Sequence, residues 1–186
     1  MAGKSVSGAL MMMAAHEALH SLALTQPLPA ELFSLTNRRV YGLGQRNFVA
    51  LGYFCVHEDG ETLCYLVAGQ PAPLIKRLDG QVAELPLPTH RIPIGALPEG
   101  DYSPLQVAVR PGEIVLGYSD GVTEARSADG EFFGTDRLRD VVAGFRGKPE
   151  DLVQEVLSAV ETFARGVLQY DDLTLVAVGR QSELPA

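Results

Sequence analysis

The chain has 186 residues, 23 acidic against 15 basic, a formal net charge of −8 and 46% hydrophobic residues, which suits one globular domain with a substantial core rather than a disordered or fibrous chain. The negative balance is repelled by phosphate backbones and anionic lipid, so it argues against nucleic-acid and membrane-surface binding. Two cysteines and no tryptophan make no disulfide scaffold, and no apolar stretch reaches the ~20 residues that span a bilayer.

In chain order, Ser5 and Ser7 are N-caps for a helix running to about Leu24, with Leu10, Met13, Ala14, Glu17, Ala18 and Leu24 as an imperfect helical stripe. Lys4 followed by the apolar patch Gly8 to Ala15 is near the lower length limit of a secretory signal core, but His16-Glu17 breaks it. A helix in a cytoplasmic protein is the reading. Gln26-Pro27-Leu28-Pro29 ends that helix, and a second runs from Ala30 to near Val40.

Phe48 to His57 and Glu61 to Ala68 are β-rich runs around Glu58-Asp59-Gly60, a hairpin signal. With residues 58–61 as the loop, Cys55 faces Cys64, and the two read as paired thiols on a buried sheet face. Zinc ligands to complete a site with them are not nearby. Leu74 to Leu78 and Gln81 to Leu85 form another hairpin about Asp79-Gly80, and Pro86 to Pro104 is a loop. Leu105 to Val109 and Glu113 to Tyr118 are strands, the second ended by Ser119-Asp120-Gly121. Thr135 caps a helix to about Phe145, Pro149 opens one to about Arg165, Leu173 to Val178 is the closing strand, and 181–186 is a tail. A helix, several antiparallel strands, two helices and a strand make an α+β fold rather than a doubly wound parallel sheet.

Three motifs carry possible chemistry. His16-Glu17-Ala18-Leu19-His20 is a literal H-E-x-x-H on a helix, where both imidazoles at i and i+4 could share zinc with Glu17 as base. It lacks a preceding sheet and a third ligand, and the alternative is an exposed helix face. Gly3-Lys4-Ser5 matches only the tail of a phosphate loop, without the first glycine or its strand. The third is a pair of acidic strand ends, Asp120 after one apolar strand and Asp171 just before another. Carboxylates beside hydrophobic strands are costly unless exposed, hydrogen-bonded or neutralised, and Mg²⁺ or Mn²⁺ selects such ligands. The competing reading is a turn at Asp120-Gly121 and a strand-start cap at Asp171-Asp172.

The residues around these two aspartates say more. Tyr118-Ser119-Asp120-Gly121-Val122-Thr123-Glu124-Ala125, then Gly130-Glu131-Phe132-Phe133-Gly134 with Leu138, then Asp171-Asp172-Leu173-Thr174-Leu175 resemble the metal-dependent protein phosphatase (PPM) family in its SpoIIE/RsbU branch. Gly3-Lys4-Ser5-Val6-Ser7-Gly8-Ala9-Leu10-Met11, Asn37, Phe48-Val49-Ala50-Leu51, Ala68-Gly69-Gln70-Pro71-Ala72-Pro73-Leu74 and Ile94-Gly95 are similar to further stretches in register. The likeness covers 1–180 as one phosphatase domain. It implies an αββα sandwich of two antiparallel sheets flanked by helices, without the family's first strands. It also implies a binuclear Mn²⁺ or Mg²⁺ centre, metal-activated water attacking phosphorus, and hydrolysis of phosphoserine or phosphothreonine on a regulatory protein such as an anti-sigma-factor antagonist. Asp120 and Asp171 are the implied ligands, both to one metal of the pair.

The resemblance also marks departures. Met1-Ala2-Gly3-Lys4 aligns with the end of the family's G-D-V-x-G-K-G motif, which puts the bridging Asp immediately before Met1. Ser5 stands for a usual Gly and Gln70 for a usual His. The sensor domain that usually precedes this domain is also outside the chain. The leading expectation is an N-terminally incomplete phosphatase. The alternatives are a non-catalytic phosphoprotein-binding pseudophosphatase on the same fold and, distantly, a zinc peptidase using His16 and His20.

Overall fold

The structure is a computed structural model describing residues 6–25, 28–43, 47–169 and 171–180. In chain order the elements are α1 (Val6–Ala23), α2 (Pro29–Val40), β1 (Leu51–Val56), β2 (Thr62–Ala68), β3 (Leu74–Lys76), β4 (Val82–Glu84), β5 (Leu105–Ala108), β6 (Ile114–Tyr118), α3 (Asp120–Thr123), α4 (Gly134–Gly144), α5 (Pro149–Phe163) and β7 (Leu175–Gly179). The strands form two sheets, ordered β1-β2-β5 and β4-β3-β6-β7. This is the mixed α+β architecture with two antiparallel sheets and helices that the sequence predicts. The chain divides into two compact units, one built from residues 1–57, 63–70 and 86–107 and the other from 58–62, 71–85 and 108–186.

The first unit holds α1, α2 and the three-stranded sheet. Its core joins Met11, Ala15, Leu22, Leu32, Phe33 and Val40 to Leu66, Ala68, Ile94 and Tyr102. The buried face of α1 is Met11, Ala15, Ala18 and Leu22, not the stripe through Leu10 and Met13, which are 62% and 66% exposed. Apolar residues surround the N-terminal half of this helix, so periodicity alone does not choose a face; packing on α2 does. Pro29 sits in the first turn of α2, where its missing N–H is not needed. Ser7 lies inside α1, not before it, while Ser5, Gly3 and Lys4 fall outside the described residues.

Polar contacts pin α2 to the following loop. The buried Asn37 carbonyl oxygen accepts the Gly95 N–H at 2.7 Å and the Tyr102 hydroxyl at 3.1 Å. Its amide donates to the carbonyls of Leu97 and Pro98 at 3.0 and 3.3 Å. Gly95 has φ +83°, a left-handed conformation that favours glycine. Within the predicted loop 86–104, Ile94 forms a two-way bridge with Val49.

The β1–β2 hairpin forms as expected, with Cys55 opposite Cys64. Asp59 Oδ1 accepts the N–H groups of Glu61 and Thr62 at 2.8 and 2.9 Å, the side-chain turn that fixes such a loop. One expectation fails. Cys64 is buried but Cys55 is exposed, because Cys55 lies near the hairpin end of the edge strand β1 whereas Cys64 is on the central strand β2.

The second unit is organised on β6, buried along its whole length and paired antiparallel with both β3 and β7. A run buried on both faces reads as continuous apolar residues, as Ile114 to Tyr118 does. The β3–β4 hairpin turns at Asp79, whose Oδ1 accepts the Gln81 N–H at 2.9 Å. On α5, Leu152, Val156 and Val160 recur every four residues and are buried, packing with Leu138 and Val142 of α4. Helix α4 opens at Gly134 without a side-chain cap, so Thr135 lies within it and is not its N-cap. Strand β7 starts at Leu175, two residues later than the apolar run suggested, because 171–174 is committed to contacts with the end of β6.

Two charged side chains are buried in this unit. Glu113 accepts Arg77 Nη1 and the Arg110 N–H, each at 2.9 Å. Lys76 donates to the carbonyls of Ala143, at 3.2 Å, and Phe145, satisfying the C-terminal end of α4 where a cation is favourable. Burial, then the nearby Arg146 charge, lowers the Lys76 pKa.

Candidate metal centre

Strand β6 ends at Tyr118, and the next three residues deliver Asp120 into the one-turn helix α3. The turn expected at Asp120-Gly121 is therefore helical. What fixes it is Ser119. Its N–H donates to the Thr174 carbonyl at 3.0 Å, its Oγ accepts the Thr174 N–H at 3.0 Å, and its hydroxyl donates to the Asp172 carbonyl at 3.3 Å. The segment carrying Asp120 is thereby fastened to the segment carrying Asp171.

Gly121 sets how close they come. A Cβ at this position would lie 2.3 Å from the Asp172 carbonyl oxygen and 3.6 Å from Asp171 Cβ. No side chain fits there. The two sequence-predicted aspartates thus hang from adjoining backbone segments despite a separation of about fifty residues in the chain.

Their oxygens are available. The Asp120 side chain is exposed, and its carboxylate makes no hydrogen bond or ion pair among the described residues. Asp171 is half-buried, and its Oδ1 accepts only the Asp172 N–H, at 3.0 Å. Gln169 Nε2 donates to the Asp171 carbonyl at 2.8 Å, tethering the loop from its other side. A cleft of about 280 Å³ opens beside Asp171, lined by Gly121, Glu124, Arg126, Glu161, Arg165 and Asp171 together with apolar residues. Sequence reasoning missed Ser119, Gly121 and Gln169 as positioning groups. Ser119 and Gly121 flank Asp120, but nothing in their spacing announces a partner near residue 172.

The Gly130-Glu131-Phe132-Phe133-Gly134 stretch supports the same end of the unit. Phe133 is buried and meets Phe163 edge-on at 5.4 Å between ring centroids. Arg137 lies over Phe163 and donates to the Phe132 and Phe133 carbonyls at 2.9 and 3.2 Å. This packing joins the start of α4 to the end of α5, the wall of the cleft.

A family model described as Stage II sporulation protein E (SpoIIE) matches residues 1–181. The chain belongs to the SpoIIE family. This SpoIIE-family chain is 32% identical over 142 residues to protein IcfG of Synechocystis sp., a match covering 72% of the chain and 21% of that relative. It therefore spans about a fifth of the length of the curated relative it matches. Among solved structures it is similar to the SiaA-PP2C domain of Pseudomonas aeruginosa, with TM-score 0.77, 24% identity and coverage of 93% of this chain and 70% of that one. It is also similar to the PP2C phosphatase domain, with a regulatory-domain fragment, of SpoIIE from Bacillus subtilis, with TM-score 0.80, 18% identity and coverage of 98% and 52%. RsbX in complex with magnesium matches with TM-score 0.65, 12% identity and coverage of 94% and 75%. The fold shared with these structures is that of the PP2C-type phosphatases.

His16 and His20 stack on α1 with ring centroids 6.3 Å apart, both exposed. Among the described residues no group of three or more His, Cys, Asp or Glu side chains is arranged to hold a metal, so the SpoIIE-family fold gives the zinc-peptidase alternative no third ligand. The same fact bears on Asp120 and Asp171. Carboxylates on two tethered segments are the donor type that a hard divalent ion takes together with water; a binuclear centre needs a further bridging carboxylate. Among the described residues no helix is long and apolar enough to cross a membrane.

Proposed function

We propose that residues 1–180 act as one PP2C-type protein serine/threonine phosphatase domain, with Asp120 and Asp171 as ligands of a divalent ion. The observation that carries this reading is the fastening of the two aspartate segments through Ser119 and Gly121. The family match, which runs through both compact units, supports treating 1–180 as one functional domain. The Mn-presoaked SpoIIE phosphatase domain and the magnesium complex of RsbX among the structural relatives support Mn²⁺ or Mg²⁺ as the ion.

When bound there, such an ion supplies Lewis-acid activation of water and neutralises charge on the phosphoryl oxygens. The chain's own residues do the rest. Asp120 and Asp171 present acceptor-only oxygens, Ser119 holds their segments in register, and Gln169 fixes the main chain at Asp171. The cleft lined by Arg126 and Arg165 receives the polypeptide around the phosphorylated residue. No cysteine or serine serves as nucleophile. The substrate is a phosphoserine or phosphothreonine on a regulatory protein, of the anti-sigma-factor-antagonist kind. The likeness to a structure of the RsbU and RsbW domains of a Mycobacterium tuberculosis protein (TM-score 0.73, 18% identity, coverage of 97% and 50%) supports that choice.

The test is Mn²⁺-dependent hydrolysis of p-nitrophenyl phosphate and of a phosphoserine protein. Turnover by this chain, or by the chain extended upstream to include a Gly-Asp pair, that is lost in Asp120→Ala supports the reading. A second reading is favoured by one fact: among the described residues no group of three or more His, Cys, Asp or Glu side chains is arranged to hold a metal. On that reading the chain binds phosphoproteins without hydrolysing them. Absence of turnover in both versions, with retained binding to a phosphorylated partner, would establish it.

A further inference from the structure

The face of β1 and β2 that packs under the helices carries Leu51, Tyr53, Leu66 and Ala68 near its centre. Towards the hairpin loop the same face ends in two thiols. Cys55 and Cys64 are direct partners in the antiparallel register, both are free, and only Cys55 is exposed. Tyr53, two residues before Cys55 on the same face, shares a side-chain hydrogen bond with Cys55 and lies near enough to both sulfurs to feel their charge.

We propose that Cys55 and Cys64 are a modification site, a reversible cross-strand disulfide formed with a peroxide as oxidant. Directly opposed residues on antiparallel strands have Cβ atoms about 4.5–5.5 Å apart, and a disulfide needs about 3.5–4.5 Å. Closing that gap takes a shift of about 1 Å, by the difference of those two ranges. Strand β1 can make it, because it lies at the edge of its sheet and pairs only with β2 among the described strands.

The chemistry is ordered by exposure. The Cys55 thiolate attacks one peroxide oxygen; the S–O bond forms, the O–O bond breaks and water leaves after taking up a proton, giving a sulfenic acid. The Cys64 sulfur then attacks Cys55 sulfur; the S–S bond forms, the S–O bond breaks, and hydroxide leaves as water with the Cys64 proton. Two thiols lose two electrons and the peroxide gains them. Burial, then the neighbouring Cys55, raises the Cys64 pKa, which suits Cys64 to the second, resolving step. The Tyr53 hydroxyl beside Cys55 is a donor to the thiolate that starts the sequence. Tyr53 also meets Phe33 of α2 edge-on at 6.0 Å, so the bond forms one side chain away from the helix pair.

The experiment treats the full chain with a stoichiometric amount of hydrogen peroxide, then alkylates under denaturing conditions. Cleavage after Glu58 and Glu61 puts the two cysteines on different peptides. The expected result is a monomer lighter by two hydrogen atoms, with no alkylated thiol and a Cys55–Cys64 peptide pair that dithiothreitol separates. In Cys55→Ser, a variant at an exposed position, the pair is absent and Cys64 remains alkylatable. The proposal is overturned if Cys55 alone oxidises to sulfinic acid or forms a dimer while Cys64 stays a thiol, or if neither thiol is consumed.

Discussion

The two compact units use similar apolar residues but hold them in opposite ways. In the second, β6 is buried on both faces between β3 and β7, and α5 offers a clean stripe at Leu152, Val156 and Val160. In the first, the strand bearing Cys55 is at an edge, and α1 exposes Leu10, Met12 and Met13 while a single buried amide, Asn37, ties α2 to a loop some sixty residues away. The unit whose core is closed by periodic packing carries the proposed metal ligands. The unit whose core relies on a polar knot carries the exposed apolar side chains. Precision at the acidic pair comes from Ser119, which fastens the end of β6 to residues 172 and 174 just beyond the ladder.

This contrast can be broken most strongly in the cores. Phe33→Ala in the first unit and Leu152→Ala in the second remove fully buried side chains and are expected to cost about 3–5 and about 2–5 kcal/mol in denaturant unfolding. If the units are separately stabilised, hydrogen exchange will show each loss mainly in its own unit. Next comes the site. Asp120→Ala and Asp171→Ala are expected to lower phosphatase activity by roughly 100-fold or more, on the scale of metal-site lesions, with an unchanged melting temperature because neither carboxylate supports the core. A matching loss of stability would show that the acidic pair is structural.

Asn37→Ala sharpens the comparison from the other side. It orphans the Gly95 N–H and the Tyr102 hydroxyl, a cost of about 1–3 kcal/mol, which chemical denaturation would register. Alkaline unfolding weighs on both units, more heavily on the first, since burial also raises the Tyr118 pKa in the second. Burial pushes Tyr102 up to about 12, and burial with the neighbouring thiols pushes Tyr53 up to about 12. The native state keeps these protons where the unfolded chain loses them near pH 10. Their stabilising contribution is complete below pH 10 and is lost between about pH 10 and 12. Lys76 has the opposite sign, its lowered pKa favouring the native state as pH rises towards the unfolded lysine value. Amides of the first unit are therefore expected to lose exchange protection first as pH passes 10. The smallest effect is expected for Arg139→Ala, whose 2.7 Å pair with Glu84 is solvent-accessible; about 0–1 kcal/mol by thermal melting.

Much of this was legible in the residues because the signals were local. Asp59-Gly60 and Asp79-Gly80 announce their hairpins, and the Asp59 and Asp79 side chains do bind the backbone two residues on. Pro149 opens α5 at the predicted residue, and the pairing of Cys55 with Cys64 follows from the loop length. What the sequence hid depended on distant partners. The face of α1 is chosen by α2. Ile94, the bridge partner of Val49, lies inside a stretch whose prolines and glycines read as loop. Thr135 resembles a cap in a string of letters, but the chain enters α4 through Gly134 at φ +77°. For the site, the two aspartates stood out as acidic ends of apolar strands, and the family likeness gave them a role. The serine and glycine that fasten them gave no separate sign, since hydroxyl-to-carbonyl bonds across fifty residues leave no trace in spacing.

The bonds from Ser119 to the main chain at 172 and 174 have a consequence for affinity. At the proposed cation site these bonds set the backbone separation of the acidic side chains in advance, so an ion bound there would spend less of its attraction on ordering the chain. Ser119→Ala would leave both carboxylates in the protein yet weaken cation uptake, because the loop would then have to be immobilised anew with every binding event.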